Sequence, residues 1–329
     1  MMKRTITYRI TNEYTGGKIS HFLRRKGFSR QCLIELKKMA GSVTVNDIPK
    51  RFNERLYAGD VLRVFITEKS CSTVDPVCLP VDIVYEDEDL LVVNKPAGMP
   101  THPSFKNTDN TLANALAWYY REKGESFVFR CSNRLDRDTS GLTIVSRHYV
   151  SAAILSEMGT RREISREYLA IAAGHIVPDS GTIDAPLGRK DGSIIERCVD
   201  PLHGERAVTH FQVLQRLVYG PSAPDPSPAL PLSLVQLNLE TGRTHQIRVH
   251  MQHIGHPLIG DYLYRGASSE SSSAQKQSLD PSAYDGLIDR QALHAHRLRF
   301  AHPITGEPLD LSVPLPEDMH AVLSRCRLM

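Results

Sequence analysis

An aspartate inside a short basic run is the residue of this chain best suited to chemistry. Residues 133–141 read NRLDRDTSG, so Asp136 lies between Arg134 and Arg137 and precedes an apolar stretch. Nearby positive charge favours the ionised carboxylate, which can act as a nucleophile or as a base. An aspartate in a turn before a strand can instead satisfy backbone N–H groups. This segment by itself leaves both interpretations open.

A second polar segment favours the chemical interpretation. Residues 240–250 read ETGRTHQIRVH, follow a strand-like run and lead to Gly260 and Asp261. The chain also carries KPAGMPTHP at 95–103 and LHA at 293–295. With the sequence around Asp136, these segments resemble in the same order the motifs of the RluA family of RNA pseudouridine synthases. The resemblance spans residues 80–316.

The resemblance implies an RNA-modifying isomerase that consumes no cofactor. Such an enzyme breaks the N-glycosidic bond of a uridine, rotates the bound uracil and rejoins it to the sugar through carbon 5. Asp136 matches the family's catalytic aspartate, and Arg248 matches the position that pairs with it and holds it ionised. Tyr168 matches the pocket tyrosine that stacks on the flipped base. Whether Asp136 attacks the sugar, adds to the ring or removes a sugar proton stays open.

Further residues are predicted to contact the substrate. Ile247 would pack against the uracil, whereas Arg243 and Lys95 would contact phosphates. Arg166 stands where many family members carry lysine, and Asn133 stands where many carry histidine. Both differences keep a polar side chain, so we expect them to alter RNA contacts and not to abolish activity. The predicted substrate-binding residues are Arg134, Ile247, Arg243, Lys95, His245, Gln246 and Arg166.

Four histidines within twelve residues, between 245 and 256, raise the question of a metal. Zinc sites need ligands that converge on one point, and here neither an HExxH motif nor a cysteine partner is present. Arg243 and Arg248 in the same run would repel a cation. The sequence therefore predicts no metal site. Glycine-rich phosphate loops are also absent from the sequence, which argues against nucleotide-driven or nicotinamide chemistry.

The amino-terminal segment is strongly basic. Residues 17–55 carry ten lysines and arginines against three acidic residues. Apolar residues at helical spacing around 19–23, a helix capped by Ser29, and strands at 43–47 and 61–65 resemble the alpha-L RNA-binding motif. A solvated basic face of an ordinary domain is the alternative. Phosphate attraction would supply affinity and register but not base identity.

The chain divides into two predicted domains. Residues 1–70 form the alpha-L type α/β domain, 71–80 a linker, and 81–329 the catalytic domain. The sequence predicts short strands at 83–85 and 90–93 around an acidic turn at 86–89, and helices at 111–120 and 149–162. With no repeated strand–helix–strand unit, this pattern indicates an α+β fold with a mixed, mainly antiparallel sheet, as the pseudouridine synthase resemblance also implies. A proline-rich stretch at 220–232 and a serine-rich stretch at 266–282 are predicted to be exposed loop insertions.

Composition agrees with an RNA enzyme of the cytoplasm. The chain has 329 residues, a formal net charge of +3 and six cysteines without metal-binding spacing. No apolar run approaches the roughly 18 residues that a membrane span needs, and the first residues lack a signal-peptide core. We expect a cytoplasmic monomer whose partner is RNA, ribosomal or transfer. A catalytically silent RNA-binding or ribosome-assembly factor is the main alternative, and a metal-dependent nucleic-acid hydrolase is a remote one.

Overall fold

The computed structural model describes residues 2–68, 74–104, 107–220, 229–265 and 280–329. Within these ranges the chain forms six α-helices and sixteen β-strands. The helices are α1 (Ile19–Arg25), α2 (Arg30–Lys37), α3 (Leu112–Glu122), α4 (Tyr149–Thr160), α5 (Gln246–His253) and α6 (Glu317–Ser324). The strands are β1 (Met2–Arg9), β2 (Val43–Val45), β3 (Ile48–Pro49), β4 (Val61–Glu68), β5 (Asp82–Glu86), β6 (Leu90–Lys95), β7 (Ser140–Ser146), β8 (Ser165–Ala173), β9 (Ser180–Asp184), β10 (Leu187–Arg189), β11 (Arg197–Val199), β12 (Val208–Tyr219), β13 (Leu230–Leu239), β14 (Leu293–Ala301), β15 (Pro308–Ser312) and β16 (Cys326–Leu328).

The amino-terminal module combines two short helices with an antiparallel sheet. Its strands lie in the order β1-β4-β2-β3. The side chain of Ser29 accepts a hydrogen bond from the Cys32 N–H and so caps α2, as the sequence predicted. Along β4 more and less buried residues alternate, which is typical of a strand with one face on a core. The strand β1 was not predicted from the sequence.

The larger sheet confirms the predicted α+β class. Its main path runs β16-β12-β13-β8-β14-β7-β6-β5, and β15 and β9 extend it beside β14 and β12. Among the described strands, β14 and β7 pair in parallel, and the other pairings of this sheet are antiparallel. This arrangement brings β7, β14, β8 and β13 side by side in the middle of the sheet.

The central strands are buried on both faces. Val93 on β6 packs with Leu112 and Leu116 of α3, whereas its neighbour Val92 faces the opposite side and the cluster that includes Ile154 of α4. Since side chains alternate along a strand, these two helices cover opposite faces. The sheet is therefore a rigid platform for the loops that leave its edges.

The amino-terminal module packs against the larger part of the chain. One apolar cluster contains Ile6 and Phe22 of the module together with Leu298 of β14. The guanidinium of Arg4 donates to both carboxylate oxygens of Asp89, at 2.8 and 2.9 Å. Removal of residues 1–70 would expose part of this shared core, so point substitutions are the better test of the module's role.

The predicted insertions are only partly described. Residues 221–228 and 266–279 lie outside the described residues, as do 69–73 of the predicted linker. The prediction of an exposed loop over 220–232 is wrong at its end, because Pro231 belongs to β13 opposite Val218. Its ring removes an N–H donor, but its carbonyl accepts from the Gly174 N–H. At the end of the second stretch, Pro281–Tyr284 forms a 3-10 helix with Tyr284 buried.

No helix among the described residues combines the length and the apolar character that crossing a membrane requires.

Candidate active site

A small cavity lies between the loop that carries Asp136, strand β8 and the start of α5. Its volume is about 220 Å³. Pockets for drug-sized ligands are usually larger, about 300–1,000 Å³, whereas a flipped base needs only a tight pocket. Of the predicted site residues, nine line it: Asp136, Arg134, Arg166, Tyr168, Arg243, His245, Gln246, Ile247 and Arg248. Lys95, the tenth, does not.

The loop that carries Asp136 is held through its backbone. The hydroxyl of Thr101 donates to the Leu135 carbonyl at 3.0 Å, and Arg290 Nη1 donates to the Asp138 carbonyl at 3.0 Å. Gly141, the second residue of β7, has a φ of +110°, and a Cβ there would lie 2.3 Å from the Ala295 carbonyl oxygen. A side chain at position 141 would therefore separate β7 from β14. These restraints fix where the Asp136 carboxylate points.

Arg248 joins two carboxylates inside the protein. Its Nε and Nη2 donate to the two oxygens of Asp261 at 2.7 and 2.8 Å, and its Nη1 donates to Asp136 Oδ2 at 3.2 Å. The guanidinium also lies 4.9 Å from the centre of the Tyr264 ring. Burial works against its charge, but the two carboxylates outweigh burial and raise the pKa of Arg248. Arg248 is thus a permanent cation beside Asp136, as the resemblance implied.

Gln246 orients the start of α5 and is not free for a substrate. Its side-chain oxygen accepts from the Arg243 N–H and the Thr241 hydroxyl, and its amide nitrogen donates to Val208 O and Thr209 Oγ1. The side chain is buried and all of its polar groups are engaged. The predicted role of Gln246 in substrate binding is therefore replaced by a structural one. Its four bonds determine the direction in which the following side chains point.

His245 precedes α5 in a left-handed backbone conformation, with φ of 58°. Its Nδ1 lies 2.7 Å from the hydroxyl of Tyr264, and its Nε2 lies 3.8 Å from Asp136 Oδ2. Burial lowers the pKa of His245, Asp136 and Asp261 oppose this, and Arg248 and Arg197 add to it. The imidazole is therefore neutral near pH 7. A non-glycine residue at positive φ is strained, and such residues cluster at functional sites.

Tyr168 and Ile247 supply the apolar walls. Strand β8 lies between β13 and β14, where Tyr168 is paired with Leu237 and Ala295. Tyr168 is buried against protein but lines the cavity, and its hydroxyl has no hydrogen-bond partner among the described residues. Burial raises the pKa of Tyr168, Arg166 opposes this and Asp136 adds to it, so the phenol stays protonated. A flat ring beside a carboxylate suits a nucleobase.

Lys95 is not placed to contact phosphate. Its side chain is fully buried, and Nζ donates to the carbonyls of Pro96, Met99 and Arg137 at 2.8, 2.8 and 2.9 Å. Burial lowers its pKa to about 7, against the attraction of Asp138 and other carboxylates. The predicted phosphate contact is wrong because the buried amine already donates to three backbone carbonyls of the protein. Lys95 instead ties the 96–99 turn to the loop that follows Asp136.

We expect Lys95→Met to reduce stability. The carbonyls of Pro96, Met99 and Arg137 would lose their donor. The loss corresponds to about 3 kcal/mol and a Tm decrease of roughly 6–12 °C. Thermal unfolding followed by circular dichroism measures the effect, and Lys3→Met, at an exposed position, is the matched control. Equal Tm values for the two variants would contradict the structural role.

The remaining predicted cations surround the mouth of the cavity. Arg134 is exposed, and Arg243 pairs with Glu205 while its Nε donates to the Arg206 carbonyl at 3.3 Å. Arg166 approaches Gly242, where an added Cβ would lie 3.2 Å from Nη1. All three of these arginines line the cavity. Asn133, in contrast, is buried, and its amide bonds the backbone of β7 at Leu142 and Ile144.

The histidines after His245 do not converge on one point. His250 bonds Thr209 and the Ala185 carbonyl, and His256 bonds the Ala173 carbonyl. Elsewhere in the described part of the chain, the ligand atoms of Asp87, Asp89 and His302 lie within 4.8 Å of one another. No member of this group lines the cavity. Asp89 is already neutralised by Arg4.

Asp261 and Tyr264 complete the site, and the sequence had assigned no role to either residue. Asp261 fixes Arg248 from the side opposite Asp136, and Tyr264 contacts both Arg248 and His245. The pair Gly260-Asp261 was recognised within the motif, but no sequence pattern connects it to Arg248. Only the return of the chain after α5 brings them together.

Comparison with known proteins identifies the class. Residues 89–253 match the RNA pseudouridylate synthase family. An uncharacterized RNA pseudouridine synthase of Bacillus subtilis is 40% identical over 79% of this chain and 77% of its own. Ribosomal large subunit pseudouridine synthase D of Escherichia coli K12 is 38% identical over 84% and 78%. The solved structure of human RNA pseudouridylate synthase domain containing 4 is 26% identical with a TM-score of 0.54, over 75% of this chain and 94% of that one. The chain belongs to the RNA pseudouridylate synthase family and is an isomerase that acts on RNA.

Proposed function

We propose that Asp136 is the catalytic carboxylate and that the cavity receives one uridine flipped out of the RNA. The observation that carries this proposal is the Asp136–Arg248 contact at 3.2 Å inside the small cavity. The neighbouring cation holds the carboxylate in position, and Ile247 and Tyr168 enclose the detached uracil while it turns. The enzyme would act as a cytoplasmic monomer without a cofactor.

For the substrate we propose a uridine in ribosomal RNA. The support is the 38% identity to a protein whose name assigns it to the large ribosomal subunit. Loop or bulge uridines are expected, because extruding a base costs least where it is not stacked and paired. Transfer RNA is the alternative substrate, and a test must distinguish it from ribosomal RNA.

The test is to map pseudouridine across total RNA from cells with and without the gene. Purified enzyme is then incubated with transcripts of the ribosomal or transfer RNA segments that change. Loss of a ribosomal site that purified protein restores supports the proposal. Loss confined to transfer RNA would replace the proposed substrate, and no change in any RNA would favour a silent RNA-binding factor.

The stacking role of Tyr168 gives a prediction with two variants. Tyr168→Phe keeps the ring and is expected to retain substrate affinity, whereas Tyr168→Ala removes stacking worth about 1–3 kcal/mol and is expected to lose both affinity and turnover. Single-turnover kinetics and RNA binding measure both. Equal behaviour of the two variants would contradict the stacking role. Loss of turnover at normal affinity in Tyr168→Phe would assign the function to the hydroxyl.

We also propose that the basic amino-terminal module binds the RNA backbone. Arg30 and Lys37 on α2 are exposed and form no ion pair among the described residues. Changing both to Gln should lower the slope of log K against log salt by about 0.7–0.9 for each phosphate that the variant no longer neutralises. Arg121→Gln with Arg325→Gln, at exposed positions outside the module, is the control. An unchanged slope for the α2 variant would show that these cations do not meet phosphate.

A further inference from the structure

Asp136 presents two unequal oxygens. Arg248 Nη1 and His245 Nε2 both face Oδ2, at 3.2 and 3.8 Å. Oδ1 has no hydrogen-bond partner among the described residues. Because both partners hold Oδ2, Oδ1 is left free for a ligand in the cavity that Asp136 lines. The proton position on His245 then decides whether the imidazole helps or opposes that orientation, because Nε2 attracts Oδ2 only if it carries hydrogen.

Strand β11 supplies a donor that determines this proton position. The backbone N–H of Arg197 donates to the hydroxyl oxygen of Tyr264 at 2.8 Å. The described residues offer the Tyr264 hydroxyl hydrogen no acceptor other than His245 Nδ1, at 2.7 Å. Burial raises the pKa of Tyr264 to about 12, so this hydrogen is present at neutral pH. With Nδ1 accepting, the single proton of the neutral imidazole lies on Nε2.

We propose that Tyr264, held by the Arg197 N–H, selects the Nε2–H tautomer of His245, and that His245 is a positioning residue that fixes Asp136 Oδ2 and leaves Oδ1 to the substrate. The inference rests on the proposed catalytic role of Asp136. His245 would neither touch the uracil nor transfer a proton. The left-handed backbone of His245 supports the inference, since strain at this position is tolerated where it sets a side-chain direction.

Several charged and polar groups face the imidazole and together set the pKa of His245. They are Asp136 and Asp261, which favour its protonated form, Arg248 and Arg197, which oppose it, and the Tyr264 hydroxyl, which bonds the neutral form. Loss of the Tyr264 hydroxyl would destabilise neutral His245. The pKa of His245 would then move up.

Three variants test the inference. Tyr264→Phe keeps the ring beneath Arg248 and removes only the hydroxyl, so kcat is expected to fall about tenfold at unchanged KM. Tyr284→Phe is the matched control, because that buried tyrosine donates to the Pro231 carbonyl away from the cavity. His245→Asn tolerates positive φ but cannot reach Asp136, whereas His245→Gln places an amide N–H near the position of Nε2. His245→Gln should therefore recover much of the kcat that His245→Asn loses.

The double variant provides the decisive comparison. In a His245→Gln background no tautomer remains to be selected, so adding Tyr264→Phe should change kcat by less than about twofold. The inference is overturned if Tyr264→Phe behaves like Tyr284→Phe, if it raises KM instead of lowering kcat, or if its effect persists in the His245→Gln background. Nitrogen-15 spectra of labelled histidine would show Nε2–H in the wild type. Activity of Asp136→Asn would instead overturn the catalytic role of Asp136. A failure of the tautomer inference can therefore be told apart from a failure of the proposed function.

Discussion

Asp136→Asn is expected to reduce pseudouridine formation by at least about 10³-fold while RNA binding persists. The amide keeps the size and the cavity shape but removes the charge that the reaction needs. Asparagine can also accept a hydrogen bond from Arg248, so the fold should be retained. Release of tritium from RNA labelled at carbon 5 of uridine measures turnover, because that hydrogen leaves when the carbon–carbon bond forms.

The control lies two residues away on the same loop. The side chain of Asp138 pairs with Arg137 and does not line the cavity. Asp138→Asn should therefore retain most of the activity. Substantial turnover by folded Asp136→Asn protein would refute the catalytic assignment, and equal loss in both variants would indicate damage to the loop instead of lost chemistry.

Arg248→Met should lower both activity and stability. The side chain of Asp261 is only 1% exposed and would lose the cation that pairs with it. Breaking a buried ion pair on one side costs about 3–5 kcal/mol, whereas replacing both partners costs much less. Turnover should be lost as well, because Asp136 would lose the cation beside Oδ2. Urea unfolding and the tritium assay separate the two effects.

The double variant Arg248→Met with Asp261→Asn distinguishes structure from chemistry. Removing the Asp261 charge should restore a large part of the lost stability, while the amide oxygen can still accept the backbone N–H groups of Leu263 and Tyr264. Activity should remain absent. Recovery of turnover together with stability would mean that Arg248 supports the fold and has no role at Asp136.

The sequence by itself determined the class of the protein and most members of the site. The ordered motifs around Lys95, Asp136 and Arg248 indicated an RNA pseudouridine synthase, and the family match confirms that class. Local patterns also predicted α2, α3, α4 and the strands on either side of the 86–89 turn. Such features follow from neighbours in the chain, namely a capping serine, helical spacing, or an acidic turn between apolar runs.

Only the tertiary structure decided what each polar side chain does. Lys95 and Gln246 have residue types that bind phosphate and bases, yet their bonding groups are used within the protein. Asp261 and Tyr264 became site residues because the chain returns past α5 and places them beside Arg248 and His245. Hydrogen-bond satisfaction and burial depend on contacts between distant segments, and a single sequence does not specify those contacts locally.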